Sequence, residues 1–186
     1  MSKLLEQVLD DRGAAMSQMP ADFSLLLAYW LSKRGERAMP SRADIDPTEL
    51  PGRLWPRLML LDVVRQGRRT RFRYRLVGGD IQRAVGRSTT RKFVDDVFPP
   101  DVVFRDYVLK IPADVVEQKR PLFTVNVLSL PGQASPMRAC RLTLPLSNDG
   151  VNVNMLLNAI MYEYPSDDRQ DLDTAVTFET LSREYL

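Results

Sequence analysis

The feature that most constrains the fold is the strict alternation of arginine and apolar side chains in the stretch TRFRYRLV at 70–77. Successive side chains of a strand point to opposite faces, so this pattern predicts a strand with one buried and one solvated face. The preceding run, LMLLDVV at 58–64, predicts a mostly apolar strand, and Gly67 supplies a turn between the two. The sequence therefore predicts an antiparallel hairpin.

A helical region and further extended stretches follow this hairpin. Short helical patches precede a longer helical segment at 101–119, which Pro112 is expected to kink or restart. Five antiparallel strands divided around this helical insert predict an α+β fold, with helices on one face of a curved sheet. The three later strands are predicted, between turn sequences, at 121–130, 136–147 and 151–164.

The N-terminal part of the chain predicts two helices. The first lies within residues 2–11, and the second begins after Asp22, as its N-cap, and ends near Gly35. Apolar residues recur with helical spacing in both, and the first helix is too short to be stable unless it packs on another surface. We therefore predict a candidate partner face made of Leu4, Leu5, Val8, Leu9 and Trp30.

A proline-rich segment at 38–56 joins the second helix to the first strand and predicts an ordered connector. Asp44, Asp46 and Glu49 lie close enough in it to suggest a carboxylate pair or a cation site. Capping of short turns by Asp44 and Asp46, beside the prolines, explains these residues with fewer assumptions. We therefore predict caps here and no metal site.

Charge and cysteine content argue against several classes of function. The chain has 26 Lys and Arg against 24 Asp and Glu, a net charge of +2, so nucleic acid is not indicated as a partner. Basic residues gather in one stretch that could form a phosphate-binding stripe, but we interpret them as the solvated outer face of a strand; they are Arg65, Arg68, Arg69, Arg71, Arg73 and Arg75. A single cysteine, Cys140, excludes an internal disulfide. The chain has no signal-peptide pattern and no apolar stretch of membrane-spanning length, which predicts a cytoplasmic protein without a membrane partner.

The absence of histidine removes Ser-His-Asp and Cys-His catalysis, histidine-ligated metal sites and histidine-ligated haem. Cys140 lies in the extended stretch MRACRLTLP, and we interpret it as a small buried apolar residue and not as a haem thiolate. The sequence therefore predicts no catalytic residues and no enzymatic activity. A carboxylate-dependent hydrolase is kept as a remote alternative, which would need a converging, buried pair of carboxylates.

Two sequence motifs point to a known family. The first is Pro-Ser-Arg at 40–42 followed by Asp-Ile-Asp-Pro at 44–47, ahead of the first strand, and the second is RFRYRLVGGDIQRAVGRSTTRKF at 71–93. These residues resemble the PAS sensory-domain family, in particular a bacterial subgroup of short, stand-alone PAS proteins. The similarity spans residues 23–160. Thr90 departs from the family pattern, which usually has glycine at that position, so the loop there is expected to take a different path.

The resemblance implies a PAS-like domain at 23–164, preceded by an N-terminal helical extension at 1–22 and followed by a C-terminal tail at 165–186. It also implies a hollow between the curved sheet and the short helices, which the family uses for small molecules. A hollow and a filled core would employ the same side chains, so both remain open. The candidate pocket walls are Phe72, Tyr74, Leu76, Val85, Phe93, Phe123, Val125, Met155 and Leu157.

The resemblance also bears on cofactors and partners. It implies a sensory or regulatory module with a small apolar ligand, a homodimer formed through the helices ahead of the sheet, and an unidentified signalling protein as partner. PAS photosensors carry their flavin-adduct cysteine in a helix, unlike Cys140, so a covalent flavin adduct is disfavoured along with haem. A protein-interaction or dimerisation domain without a ligand is the main alternative.

Overall fold

The computed structural model of the chain describes residues 19–86, 88–98, 104–129, 137–163 and 177–186. Its helices are α1 (Ala21–Arg34), α2 (Gly79–Val85), α3 (Val94–Val97) and α4 (Phe104–Gln118). Three short 3-10 helices, Arg42–Asp44, Pro47–Glu49 and Gly52–Arg57, precede the first strand. The strands are β1 (Leu58–Gln66), β2 (Arg69–Val77), β3 (Leu122–Ser129), β4 (Met137–Leu146), β5 (Met155–Glu163) and β6 (Thr177–Tyr185).

The strands form one antiparallel sheet in the order β2-β1-β5-β4-β3-β6. The predicted hairpin is confirmed: β1 pairs with β2, and Gly67 turns the chain between them with a φ of +58°. The antiparallel α+β architecture is also confirmed. Helix α4 continues through Pro112, so the expected restart at this proline does not occur.

The sheet has one strand more than the five predicted. Strand β6 falls in the region expected to be a tail at 165–186, and it pairs antiparallel with β3. The pairing skips Leu181, because Val125 lies opposite Ser182 while Asn126 lies opposite Thr180. A bulge of this kind breaks the two-residue period by which a strand is recognised in a sequence. Strand β6 also satisfies the backbone groups along what would otherwise be the free edge of β3.

Helix α1 is the second predicted helix, with a different start. It begins at Ala21 after Pro20, so the predicted N-cap role of Asp22 is wrong. The Asp22 carboxylate lies in the first turn and accepts a hydrogen bond from Nε of Arg53 at 2.7 Å. The helix ends at Arg34, and Gly35 follows with a φ of +57°, which is the predicted termination.

Trp30 packs inside the chain. Its indole is 1% exposed, and its Nε1 donates a hydrogen bond to the backbone oxygen of Pro145 in β4 at 2.9 Å. An indole that is buried and whose N–H is already hydrogen-bonded is not available for contact with a second molecule. The assignment of Trp30 to a partner face is therefore corrected: this residue anchors α1 to the sheet. The other members of that predicted face, Leu4, Leu5, Val8 and Leu9, lie outside the described residues.

The connector is held by the predicted caps. The Asp44 carboxylate accepts hydrogen bonds from the backbone N–H and the hydroxyl of Ser41, at 2.7 and 2.9 Å. The Asp46 carboxylate accepts from the backbone N–H of Thr48 at 2.8 Å. The hydroxyl of Tyr29 in α1 donates to the backbone oxygen of Asp46 and accepts from its N–H. These bonds explain the two aspartates without a cation.

Ion pairs join the arginines of β2 to neighbouring elements. Nε and Nη2 of Arg71 both donate to the Asp95 carboxylate of α3, each with a shortest distance of 3.0 Å. Nη2 of Arg71 also reaches Asp96 at 2.6 Å. On β1, Asp62 pairs with Arg73 at 3.0 Å and with Arg75 at 3.3 Å. Arg71, Arg73 and Arg75 of β2 therefore all form ion pairs within the chain.

The pairing registers assign the strand residues to two faces. Leu61 of β1 lies opposite Tyr74 of β2, and Arg141 of β4 lies opposite Ile160 of β5. These four side chains line a space between the sheet and helices α2, α3 and α4, and we call this side the cavity face. Their neighbours in sequence point to the opposite face. Leu142 on that opposite face is fully buried, so both faces are covered.

Candidate ligand-binding site

A small cavity lies between the sheet and the helices on the cavity face. Its volume is about 30 Å³, enough for a water molecule or a group of a few heavy atoms. Most of its wall is apolar, and the polar side chains in it come from Tyr74, Tyr107, Arg141 and Tyr162. The apolar part of the wall consists of Met59, Leu61, Ile81, Val85, Val94, Phe98, Val108, Ala139 and Ile160.

Arg141 is a buried cation in this wall. Its side chain stands in the middle of β4, and the residue is only 4% exposed. No carboxylate among the described residues forms an ion pair with it. Burial lowers the pKa of Arg141, but the ordinary value for a guanidinium is so high that the group keeps its proton at neutral pH. The site therefore holds a positive charge for which the described residues provide no counter-charge.

A neutral amide orients this guanidinium. Oδ1 of Asn158, on the neighbouring strand β5, accepts hydrogen bonds from Nε and Nη2 of Arg141 at 3.1 and 2.8 Å. The same oxygen accepts a third bond from the Thr143 hydroxyl at 2.9 Å, and Nδ2 of Asn158 donates to the backbone oxygen of Leu156 at 3.3 Å. Because the amide carries no net charge, it positions the guanidinium and leaves its charge uncompensated.

Tyrosine hydroxyls lie near the guanidinium. Burial raises the pKa of Tyr74 and of Tyr107, while the charge of Arg141 opposes part of each shift. Both phenols are therefore neutral and able to donate a hydrogen bond at physiological pH. Among the described residues, the Tyr74 hydroxyl has no hydrogen-bond partner. Tyr74 thus offers a free donor to the same cavity as Arg141.

A wider groove lies on the other side of Tyr107. It has a volume of about 320 Å³ and runs between α4, β3 and β6. Tyr107 lines both spaces, and its hydroxyl accepts a hydrogen bond from Nδ2 of Asn126 at 2.7 Å. Oδ1 of Asn126, a residue of the groove wall, is buried and has no hydrogen-bond partner in the part of the chain that the structure describes. The groove is lined by Asp106, Tyr107, Lys110, Ile111, Thr124, Asn126, Thr180 and Arg183.

The pocket walls predicted from β2 and the helices divide into two groups. Tyr74 and Val85 line the cavity. Phe72 is buried in the core but lies outside the described lining, and Leu76 is 51% exposed. The ring centroid of Phe93 lies 3.8 Å from the guanidinium carbon of Arg71, so Phe93 belongs to the contact between β2 and α3. The structure therefore places Phe72, Leu76 and Phe93 away from the cavity wall.

The pocket walls predicted from β3 and β5 lie on the opposite face of the sheet. Phe123 pairs with Leu142 and Val125 pairs with Cys140, whereas the cavity-lining Arg141 pairs with Thr124. Phe123 and Val125 therefore belong to the other face, because facing residues of paired strands point the same way. These residues contribute to the apolar core on the far side of the sheet.

Met155 and Leu157 of β5 are corrected for the same reason. Leu61 lines the cavity and pairs with Leu156, while Leu157 pairs with Leu60 and Met155 pairs with Asp62. A shift of one residue along a strand moves a side chain to the other face. Both residues are buried, but in the core opposite the cavity.

Three buried polar residues of the cavity face were not among the predicted site residues. Arg141, Thr143 and Asn158 are buried, although arginine and asparagine are mostly exposed in proteins. A signal was present, since Arg141 lies between Cys140 and Leu142 in a strand that is mostly apolar, MRACRLTLPL. An arginine in such a strand is either exposed to solvent or buried for a functional reason. The alternation within one strand does not distinguish these two possibilities.

Cys140 lies on the face opposite the cavity. The residue is fully buried, and burial raises the pKa of its thiol. These are the properties of a packed apolar residue, as the sequence suggested. The cavity lining among the described residues contains no carboxylate, and no cluster of three or more metal-ligating side chains occurs in the part of the chain that the structure describes.

Comparisons with known proteins agree with this fold. A family model described as a PAS domain matches residues 17–160 of the chain. No curated protein and no solved structure gives a significant match. Among the described residues, no helix combines the length and the apolar content that crossing a membrane requires.

Proposed function

The chain belongs to the PAS domain family, and from this premise we propose that it is a sensory module whose cavity beside Arg141 binds a small molecule. PAS domains are generally sensory and regulatory modules and not enzymes, which is the coarse class of function that the family indicates. The finer proposal concerns where the ligand sits. It locates the ligand on the cavity face of β4 and β5, between the sheet and helices α2 to α4.

The observation that carries the proposal is the polar cluster at the centre of the sheet. Arg141, Thr143 and Asn158 occupy buried positions on the cavity face, where apolar side chains would pack at lower cost. Burying a charged group without an opposite charge costs several kcal/mol. A ligand that satisfies this cluster would offset the cost, which supports a binding role for the cavity.

The dimensions of the two spaces support entry from the groove. The cavity of about 30 Å³ holds only a few heavy atoms, whereas the groove of about 320 Å³ has the size of a small-ligand pocket. Tyr107 contacts both spaces. We propose that a small ligand places its polar end beside Arg141 and extends past Tyr107 toward the groove.

The test compares two tyrosine-to-phenylalanine variants of the full chain. A thermal-shift screen with defined small metabolites (amino acids, short carboxylic acids, sugars and nucleobases) is combined with intact-complex mass spectrometry of the purified protein. At least one compound is expected to bind 1:1 and to raise Tm. The Tyr74→Phe variant removes a hydroxyl without a described partner, so it is expected to fold normally and to bind about two- to tenfold more weakly.

The matched control for this test is Tyr29→Phe. Its hydroxyl bonds to Asp46 in the connector and does not belong to the cavity, so its loss lowers stability and leaves affinity unchanged. A screen without any bound compound or stabilising metabolite would contradict the proposal. Equal weakening of binding by both variants would contradict the location of the site.

We also propose that the protein forms a homodimer through its N-terminal helices and passes its signal to another protein. The proposal is supported by the apolar stripe within residues 2–11 and by Leu25, a half-exposed apolar side chain on α1. Light scattering of the full chain over a range of concentrations tests it. The double variant Leu5→Asp with Leu9→Asp is expected to shift the species toward the monomer, and a concentration-independent monomer for the unsubstituted chain would overturn the proposal.

A further inference from the structure

We infer that the ligand of this cavity carries a carboxylate that pairs with Arg141. The inference rests on the proposed function and names the chemical class of the ligand. It replaces the apolar ligand expected from the sequence, because the cavity wall contains a buried guanidinium that the sequence analysis did not include.

The buried guanidinium of Arg141 carries a fixed positive charge. A buried lysine or carboxyl group can relieve its desolvation by changing its protonation state, but arginine cannot lose its proton in a protein. No described carboxylate pairs with Arg141, and Asn158, the residue that orients it, is neutral. Among the described residues no group supplies the missing negative charge, and a ligand with a carboxylate would supply it.

The guanidinium has hydrogen-bond donors left over for a ligand. Its Nε and Nη2 donate to Asn158 and its side chain also hydrogen-bonds Tyr107, which does not use all five of its N–H groups. Among the described residues, the Tyr74 hydroxyl in the same wall has no partner. Both groups are donors, so the cavity complements a ligand group that accepts hydrogen bonds and carries negative charge. A carboxylate has this chemistry, and its planar shape matches the flat guanidinium.

The size of the cavity limits which polar group of a ligand can reach Arg141. A cavity of about 30 Å³ accommodates the three heavy atoms of a carboxylate more readily than the five of a phosphate or sulfate. A cation would be repelled by Arg141, and an apolar group would leave the guanidinium uncompensated. Among the possible polar ends of a ligand, a carboxylate therefore fits both the charge and the volume.

The test uses sodium formate and sodium acetate as probes, with sodium chloride and sodium sulfate at matched ionic strength. Titration of the full chain is followed by Tm and by isothermal titration calorimetry. The unsubstituted protein is expected to show saturable stabilisation by formate or acetate beyond that of the two inorganic salts. Arg141→Met is expected to weaken this binding about ten- to a hundredfold, the effect of losing a hydrogen bond to a charged group.

Arg138→Met is the matched control. Arg138 lies on the same strand, three residues away, on the opposite face, and pairs with Glu163 at 2.9 Å. The substitution changes the net charge by the same amount as Arg141→Met but leaves the cavity intact, so the affinity for acetate is expected to be unchanged. If Arg141→Met does not fold, Arg141→Lys is used instead, because lysine keeps the charge but lacks the planar set of N–H donors that matches a carboxylate. Its affinity for acetate is expected to fall by at least about fivefold.

The outcomes separate this inference from the proposed function. One outcome is that a neutral metabolite binds, that Tyr74→Phe weakens its binding and that Arg141→Met does not. This result would support the proposed site and overturn the inference that the ligand carries a carboxylate. Equal stabilisation by all four salts, or equal binding to the Arg141 and Arg138 variants, would also overturn it. Absence of every ligand from both the metabolite screen and the salt titration would overturn the proposed function itself.

Discussion

Nη2 of Arg141 lies 2.8 Å from Oδ1 of Asn158, on neighbouring strands in the buried centre of the sheet. A carboxylate in place of this amide would both orient the guanidinium and neutralise its charge. The neutral amide of Asn158 only orients it, so the positive charge can pair with the proposed ligand. Replacing the amide by a carboxylate therefore tests the site without removing the arginine.

The substitution Asn158→Asp is expected to suppress acetate binding by at least about tenfold at pH 7, because the introduced carboxylate pairs with Arg141 internally. Its pKa is expected to be depressed in the folded state, so the added stability is present above pH 4 and lost as the pH falls below it. Calorimetric titration with acetate at pH 7, and Tm between pH 3 and 7, measure both effects. Unchanged acetate affinity would show that the ligand does not use this charge.

Gly78 and Gly79 are adjacent but differ in the space around them. A Cβ on Gly78 would lie 2.4 Å from the backbone oxygen of Pro56, while a Cβ on Gly79 meets only the flexible end of Arg83 at 4.0 Å. Gly78→Ala is therefore expected to destabilise the protein by about 1–3 kcal/mol. Gly79→Ala, at the start of α2, is expected to be neutral or stabilising by about 0.5 kcal/mol. Urea denaturation of the pair gives both values, and equal effects would contradict the close approach.

The two tryptophans are expected to contribute very differently to stability. Trp30→Ala removes a buried indole and its bond to Pro145, at a cost of about 3–5 kcal/mol. Trp55 is 50% exposed, so Trp55→Ala is expected to cost less than about 1 kcal/mol. The free energy of unfolding in urea measures both. A small effect of Trp30→Ala would indicate that α1 is not anchored to β4 as described.

The ion pair between Arg71 and Asp95 predicts an acid-sensitive contact between β2 and α3. Burial alone would raise the pKa of Asp95, but the hydrogen bonds and charge of Arg71 outweigh it and hold the pKa below its ordinary value. The stabilisation is therefore present above about pH 4 and lost as the pH falls through the folded pKa. Asp95→Asn is expected to lower Tm at pH 7, with a difference that shrinks below pH 4.

The control for this prediction is Asp96→Asn. Asp96 also accepts a hydrogen bond from Arg71, but its side chain is 57% exposed and solvent screens the interaction. Its replacement is expected to change Tm less than that of Asp95 at pH 7. A constant Tm difference between Asp95→Asn and the unsubstituted protein from pH 7 to pH 3 would contradict the ion-pair explanation.

Local patterns predicted most of the regular structure. The alternation in β2 and the turn at Gly67 identified a hairpin, and the apolar spacing from Phe23 to Trp30 identified α1, because these signals depend on near neighbours in the chain. Strand β6 was missed where a bulge at Leu181 interrupts the alternation. The family resemblance, carried by two motifs, is confirmed by the match over residues 17–160.

The sequence by itself determined that the strands are two-sided and that the fold is an antiparallel α+β sheet of the PAS family. Only the tertiary structure decided which sides face the helices, and it placed Arg141 and Asn158 there while turning Phe123 and Leu157 away. The physical reason is register. Alternation orders residues within one strand, but the relative phase of strands far apart in the chain is set by their backbone pairing and by the packing of the two faces.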